Sequence, residues 1–232
     1  MTDHLRRPLC LFFFLGLHVT TGILYAQDAT ARRRASFSAG MGVSYIRASD
    51  VVDYVNQVIS PDKLDDFASA VEFFAAPEIS LNADLSLKFE YAYLLKTYSV
   101  SGQGAGLFSF DYAVHMPTVV LVYVLEGEGF YVKLGGGAGY HFGKFTQLFP
   151  NSASESRFTT GGIGFKLEAM GNTAFSESLY GLIGGDARLD FLGRLKDNAG
   201  KGLEIRRAFG PIDPVRLRFA SVGIKFGLVY YF

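Results

Sequence analysis

The residues of this chain best suited to acid–base chemistry are two histidines, His115 and His141, and an alternating charge run, Asp186, Arg188 and Asp190. A histidine working as a general base needs a nucleophile within hydrogen-bond reach. No nucleophile–base pair can be named around His115-Met116-Pro117-Thr118 or His141-Phe142-Gly143-Lys144, so no catalytic residue is assigned. Asp186, Arg188 and Asp190 have metal-ligand chemistry available, but ion pairing between neighbouring strands accounts for them, and no metal ligand is assigned. The run Gly135-Gly136-Gly137-Ala138-Gly139-Tyr140 suggests a phosphate loop, yet residue 140 is Tyr where Gly-x-Gly-x-x-Gly needs glycine. Gly143-Lys144 is followed by Phe145 instead of Ser or Thr. No cofactor is therefore expected.

The elements that carry these residues read as strands. In the last segment, Val222, Ile224, Phe226, Leu228, Tyr230 and Phe232 alternate with Ser221, Gly223, Lys225 and Gly227. Period-two alternation sends the two sets to opposite faces. About eight such segments follow one another. The first places Phe37, Ala39, Met41, Val43 and Tyr45 opposite small residues from Ser36 to Ser44. The second sets Val71, Phe73, Ile79 and Leu81 against Glu72 and Glu78, and the third sets Leu85 to Leu95 against Lys88, Glu90 and Lys96. In the fourth, Leu107 to Leu125, Phe108, Phe110, Tyr112 and Val114 are expected outside and Asp111 inside. Pro117 then blurs the alternation, and a bulge there would be one explanation. The fifth carries Lys133 and His141 on its polar face, the sixth Lys166 and Glu168, and the seventh Asp186, Arg188 and Asp190.

The N-terminus reads as an export leader. Arg6 and Arg7 precede an apolar run from Leu9 to Leu17, and Ala26 offers a cleavage point. Residues 1–26 are thus expected to be a signal peptide and 27–232 one β domain. Cys10, the only cysteine, falls within the leader, which excludes disulfides and cysteine chemistry from the rest. The whole chain has 22 basic and 22 acidic residues, a balance that gives no footprint for nucleic acid.

Connections alternate in length. Asn82-Ala83-Asp84, Glu126 to Gly129 and Asn172 to Ser178 are short, whereas Ala48 to Ser69, Ser99 to Gly106, Gln147 to Ser156 and Gly193 to Val215 are long or polar. Short turns on one side and long loops on the other are the habit of outer-membrane barrels. Within the first long connection, Val51, Val55 and Val58 recur at helical spacing, with Ser49 or Asp50 as cap. The last carries Arg194, Lys196, Lys201, Arg206 and Arg207, a basic loop able to meet lipopolysaccharide phosphates or another extracellular partner.

Together these features resemble the small eight-stranded outer-membrane barrels of the OmpA-like transmembrane type, without a periplasmic domain. The expected fold is all-β, an eight-stranded antiparallel up-and-down transmembrane β-barrel in the outer membrane of a Gram-negative bacterium. The resemblance implies that Tyr230 and the closing Phe232 form part of an assembly signal read by the barrel-assembly machinery, and that outer-membrane lipid surrounds the apolar face. The lumen-facing charges are then Glu72, Glu78, Glu90, Asp111, Glu168, Asp186 and Asp190 against Lys88, Lys96, Lys133, Lys166, Arg188 and Lys225. An eight-stranded interior is only wide enough to be filled by side chains, so near-balance implies a salt-bridged plug and a structural role. A narrow channel, an adhesion module and a lipid A-modifying enzyme are the alternatives. The deacylase pattern of His-x-Ser-Asn is absent from both histidine segments.

Overall fold

The computed structural model describes residues 35–59, 69–102, 106–150, 152, 154–206 and 212–232. The leader expected over 1–26 and Arg207 lie outside these. Eight long strands form the wall: β1 (Ala35–Arg47), β2 (Ala70–Ser80), β3 (Leu85–Gly102), β4 (Gly106–Gly127), β5 (Phe130–Leu148), β6 (Ser156–Ala174), β7 (Leu179–Arg194) and β10 (Arg216–Tyr231). All neighbours are antiparallel, and the first and last strands pair, closing the barrel in the order β1-β10-β7-β6-β5-β4-β3-β2. Closure leaves no unpaired edge, as a lipid environment demands of backbone N–H and C=O groups. Short turns join β2 to β3, β4 to β5 and β6 to β7 at the end where β1 begins and β10 finishes; Gly129, at φ 76°, supplies the left-handed residue of the second turn.

Alternation maps onto the wall as expected for seven of the eight strands. Met41, Phe89, Leu134, Phe165, Leu189 and Phe226 are exposed, whereas Ser44, Lys88, Lys133, Lys166, Arg188 and Lys225 are buried. An unbroken apolar exterior of this extent would aggregate in water; it fits a hydrocarbon surround. On β6 the apolar and glycine positions from Gly171 to Gly161 span roughly 25 Å at the usual strand rise and tilt, matching the thickness of an outer-membrane apolar band.

The exception is β4. Phe110, Tyr112 and Val114 point inward and are buried, and Asp111 and His115 point outward. Neither is a lumen residue, which overturns the inward place expected for Asp111 and, with it, the inward place that the same parity gives His115. The reason lies in the far half of the lumen, which is filled by an apolar core of Leu94, Phe110, Val114, Phe145, Leu192 and Leu217. Large apolar side chains therefore mark both faces of β4, and size ceases to report direction. Nor is there a bulge at Pro117. Register runs unbroken through it on both sides, from Tyr91↔Pro117 on β3 to His115↔Phe142 and Thr118↔Gly139 on β5. Among the described residues, the one register shift of the wall falls between Arg216 and Arg218 on β10.

The helix expected in the first long connection is present as α1 (Ser49–Ile59). The amides of Val51 and Val52 donate to the Ala48 carbonyl at 3.1 Å, and Val51, Val52, Tyr54 and Val55 are buried. The helix contacts β10 and a small hairpin of β8 (Glu204–Arg206) and β9 (Ile212–Pro214). Leu195, Leu203, Ile205 and Val215, from the connection expected to be a polar loop, join the same apolar core. The far mouth of the barrel is thus capped by its own connections.

Tyr54 ties the cap to the wall: its hydroxyl donates to Gln147 Oε1 at 2.7 Å and its ring meets Phe145 edge-on at 6.1 Å. Burial pushes the Tyr54 hydroxyl above its ordinary value near 10. Because the neutral form is favoured only when docked, cap stability is constant at lower pH and falls once pH rises through 10, where the undocked phenol ionises first. Tyr54→Phe should remove one late step from the tyrosinate titration followed by ultraviolet absorbance. Loss of a step at the ordinary value near 10 instead of a late one would contradict the docked hydroxyl.

Candidate functional site: the charged lumen

Below the apolar core, five strands aim charged side chains at one place. β2 contributes Glu72, β3 Lys88 and Glu90, β6 Lys166 and Glu168, β7 Asp186 and Arg188, and β10 Lys225. Four acids thus face four bases. Arg188 holds Glu72 in a two-pronged pair, Nη1 to Oε2 at 2.6 Å and Nη2 to Oε1 at 2.9 Å, and reaches Glu90 at 3.0 Å and Asp186 at 2.8 Å. Lys225 meets Glu72 at 2.7 Å, Glu90 at 3.0 Å and Asp186 at 3.2 Å, with its ammonium 4.8 Å from the centre of the Phe74 ring. Lys166 donates to both Glu90 oxygens at 2.6 Å and pairs with Glu168 at 2.5 Å. Lys88 closes the ring by pairing with Glu168 and lying 3.5 Å from Glu90. Glu90, at the centre, is fully buried and touched by all four bases.

Carboxylate oxygens of Glu72, Glu90 and Asp186 converge within 4.8 Å, a spacing that could hold a cation. The position is already served by Arg188 and Lys225, which contact all three, so the acids meet fixed ammonium and guanidinium charge.

The other expected lumen residues separate from this cluster. Glu78 and Lys133 pair at 2.7 Å nearer the turn end, beside the rings of Tyr131, Tyr180 and Tyr231. Asn172 donates to the Tyr231 hydroxyl at 3.1 Å there. Lys96 has inward parity on β3 but sits 4.9 Å over the Tyr98 ring. Asp111 is outside, as described. Tyr230 and Phe232 are exposed on the outer face, with ring centres 5.1 Å apart.

Asp190 joins a group that no spacing rule could find. Its carboxylate meets His141 Nδ1, and His141 Nε2 lies 3.1 Å from Thr118 Oγ1. Hydroxyl, imidazole and carboxylate in line resemble a nucleophile, base and orienting acid. All three are buried and hemmed in by backbone: a Cβ on Gly164 would fall 2.2 Å from His141 Cε1, and one on Gly139 2.0 Å from the Pro117 carbonyl. With no room for a substrate beside the hydroxyl, the group acts as a polar tie across β4, β5 and β7. The other histidine, His115, stacks on Tyr93 at 4.6 Å and accepts or donates a 2.6 Å hydrogen bond with the Tyr91 hydroxyl on the outer face.

No protein-family model and no curated protein matches this sequence. Solved structures do. Ail, the attachment invasion locus protein of Yersinia pestis, aligns at 14% identity over 87% of this chain and 100% of its own, with a TM-score of 0.52. A major outer membrane protein from Thermus thermophilus aligns at 12% identity over 85% and 99%, with a TM-score of 0.50. The fold is that of the small outer-membrane barrels. Within that fold, Ail has also been solved with the heparin analogue sucrose octasulfate, in a structure that aligns at 14% identity over 86% of this chain and 98% of that one, with a TM-score of 0.50.

Proposed function

We propose that this outer-membrane barrel is a structural element of a Gram-negative envelope, exported by its leader over residues 1–26, with the 27–232 domain spanning the membrane as a filled cylinder. The termini and short turns then face the periplasm, and α1 with the β8–β9 hairpin forms the surface offered to the cell exterior and to any partner there. Tyr230 and Phe232 would serve the assembly machinery. The observation that carries this reading is the ring of four acids and four bases around Glu90: it draws side chains from five strands into contact across the lumen. Water and ions could pass only by displacing buried charge from its partner, at several kcal/mol per ion. The apolar core and cap beyond it add a second barrier.

The test is conductance of the refolded full chain in a planar bilayer. Folded protein, verified by its compact band in an unheated gel, should give no current steps. Steady, reproducible openings would overturn the filled-lumen reading and make the chain a narrow channel.

A further inference from the structure

The outer wall carries a groove of about 390 Å³ over β4, β5 and β6, bordered by His115, Tyr140, Phe142, Lys144, Thr159 and Gly161. It lies at the border of the apolar band. Towards the turn end the outward positions are Ala138, Tyr140 and Phe142 on β5 and Phe165 and Ile163 on β6; beyond the groove they become Lys144, Thr146, Thr159 and Arg157. Gly161 makes the depression, since a Cβ there would fall 2.8 Å from the Tyr140 hydroxyl. The Tyr91 hydroxyl and His115 Nδ1 share a 2.6 Å hydrogen bond, and in the tautomer in which the hydroxyl donates, His115 Nε2 is a further donor. Lys144, Arg157, the Tyr140 hydroxyl and Thr159 supply further donors; the acids nearby are Asp111 on β4 and, beside Arg157 at the loop end, Glu155 and Asp197.

The same border is basic elsewhere. Arg47 follows Tyr45 on β1, and Arg218 precedes Ala220 on β10, each as the first outward residue beyond the apolar run. The turns at the opposite end carry Asp84, Glu126, Glu128 and Glu177 instead. Positive charge with a shallow hydrogen-bonding groove above an apolar wall fits an amphiphile whose phosphate meets the donors while its chains lie along Phe142, Ile163 and Phe165. We infer that this groove binds the phosphorylated headgroup of an outer-leaflet glycolipid, an inference that rests on the outer-membrane reading.

The experiment refolds the full chain into phosphatidylcholine vesicles and titrates diphosphoryl lipid A. Retained lipid is read by native mass spectrometry after gentle extraction. One lipid should remain per barrel; Lys144→Gln should weaken its retention about fivefold, the effect of one cation near a phosphate, and Gly161→Leu should weaken it by filling the groove. Millimolar inorganic phosphate should not compete, because the chains contribute to binding. Equal retention by the parent and both variants, equal retention of a phosphate-free glycolipid, or displacement by inorganic phosphate would each overturn the site. The gel-band test is read on the same samples. Protein that never acquires the compact band in vesicles would overturn the membrane reading and this site with it, whereas folded protein without selective retention overturns the site alone.

Discussion

Arg188→Met should destabilise the folded barrel by about 3–5 kcal/mol, the usual cost of orphaning a buried charge. The guanidinium serves three acids at once, so its loss leaves Glu72, Glu90 and Asp186 to share Lys225, Lys166 and Lys88. Little solvent reaches them: Glu72 and Glu90 are 0% and Asp186 6% exposed. Urea unfolding in zwitterionic vesicles, followed by the gel shift, measures the change. Glu72→Gln combined with Arg188→Met should cost clearly less than the sum of the two single changes, because the carboxylate that lost its partner is removed with it. A loss below about 1 kcal/mol for Arg188→Met would mean that the lysines re-pair the acids and that the arginine is dispensable.

Gly40→Val should be at least as damaging, for a reason unrelated to charge. At the β1–β10 seam, Gly40 lies opposite Gly227, and the two backbones approach so closely that a Cβ on Gly40 would sit 2.0 Å from the Phe226 carbonyl oxygen. The atom in the way is backbone and cannot rotate aside, so the strands must part. The expected loss is about 3 kcal/mol or more, at the upper end of overpacking effects. Gly136→Val is the control: its nearest neighbour would be the tip of Leu167, 3.4 Å away, on the outer face. That variant should refold like the parent. Equal refolding of Gly40→Val and Gly136→Val would refute the close seam.

Much of this architecture is written locally. The last strand states its faces without ambiguity because bulky residues hold one parity from Val222 to Phe232 while small and polar residues dominate the other up to Gly227. The helical spacing of Val51 and Val55 likewise announced α1, whose buried face includes both. Two kinds of information were missing. The first concerns β4, where Val120 and Val122 point inward towards glycines of β5 while Val119 and Leu121 point outward; apolar residues on both sides erase the signal that parity depends on. The second is register between distant segments. Thr118, His141 and Asp190 meet only because β4, β5, β6 and β7 align in one particular way. Each alone reads as an ordinary polar residue, and no local pattern links them. The lumen charges were recognisable as a set from alternation, but which acid meets which base depends on the same long-range alignment.

The ring around Glu90 also constrains how the molecule is made. Hairpins β2–β3, β4–β5 and β6–β7 join neighbours in the chain and can form with little loop-closure cost, whereas β1 and β10 come from opposite ends and must find each other late. Until they do, Lys225 on β10 cannot reach Glu72 on β2, and Arg188 on β7 cannot complete its fork. A half-built wall would carry unpartnered ions into hydrocarbon, where they are costly. Insertion and closure are therefore one cooperative event: the charges that seal the finished cylinder penalise every open form that precedes it.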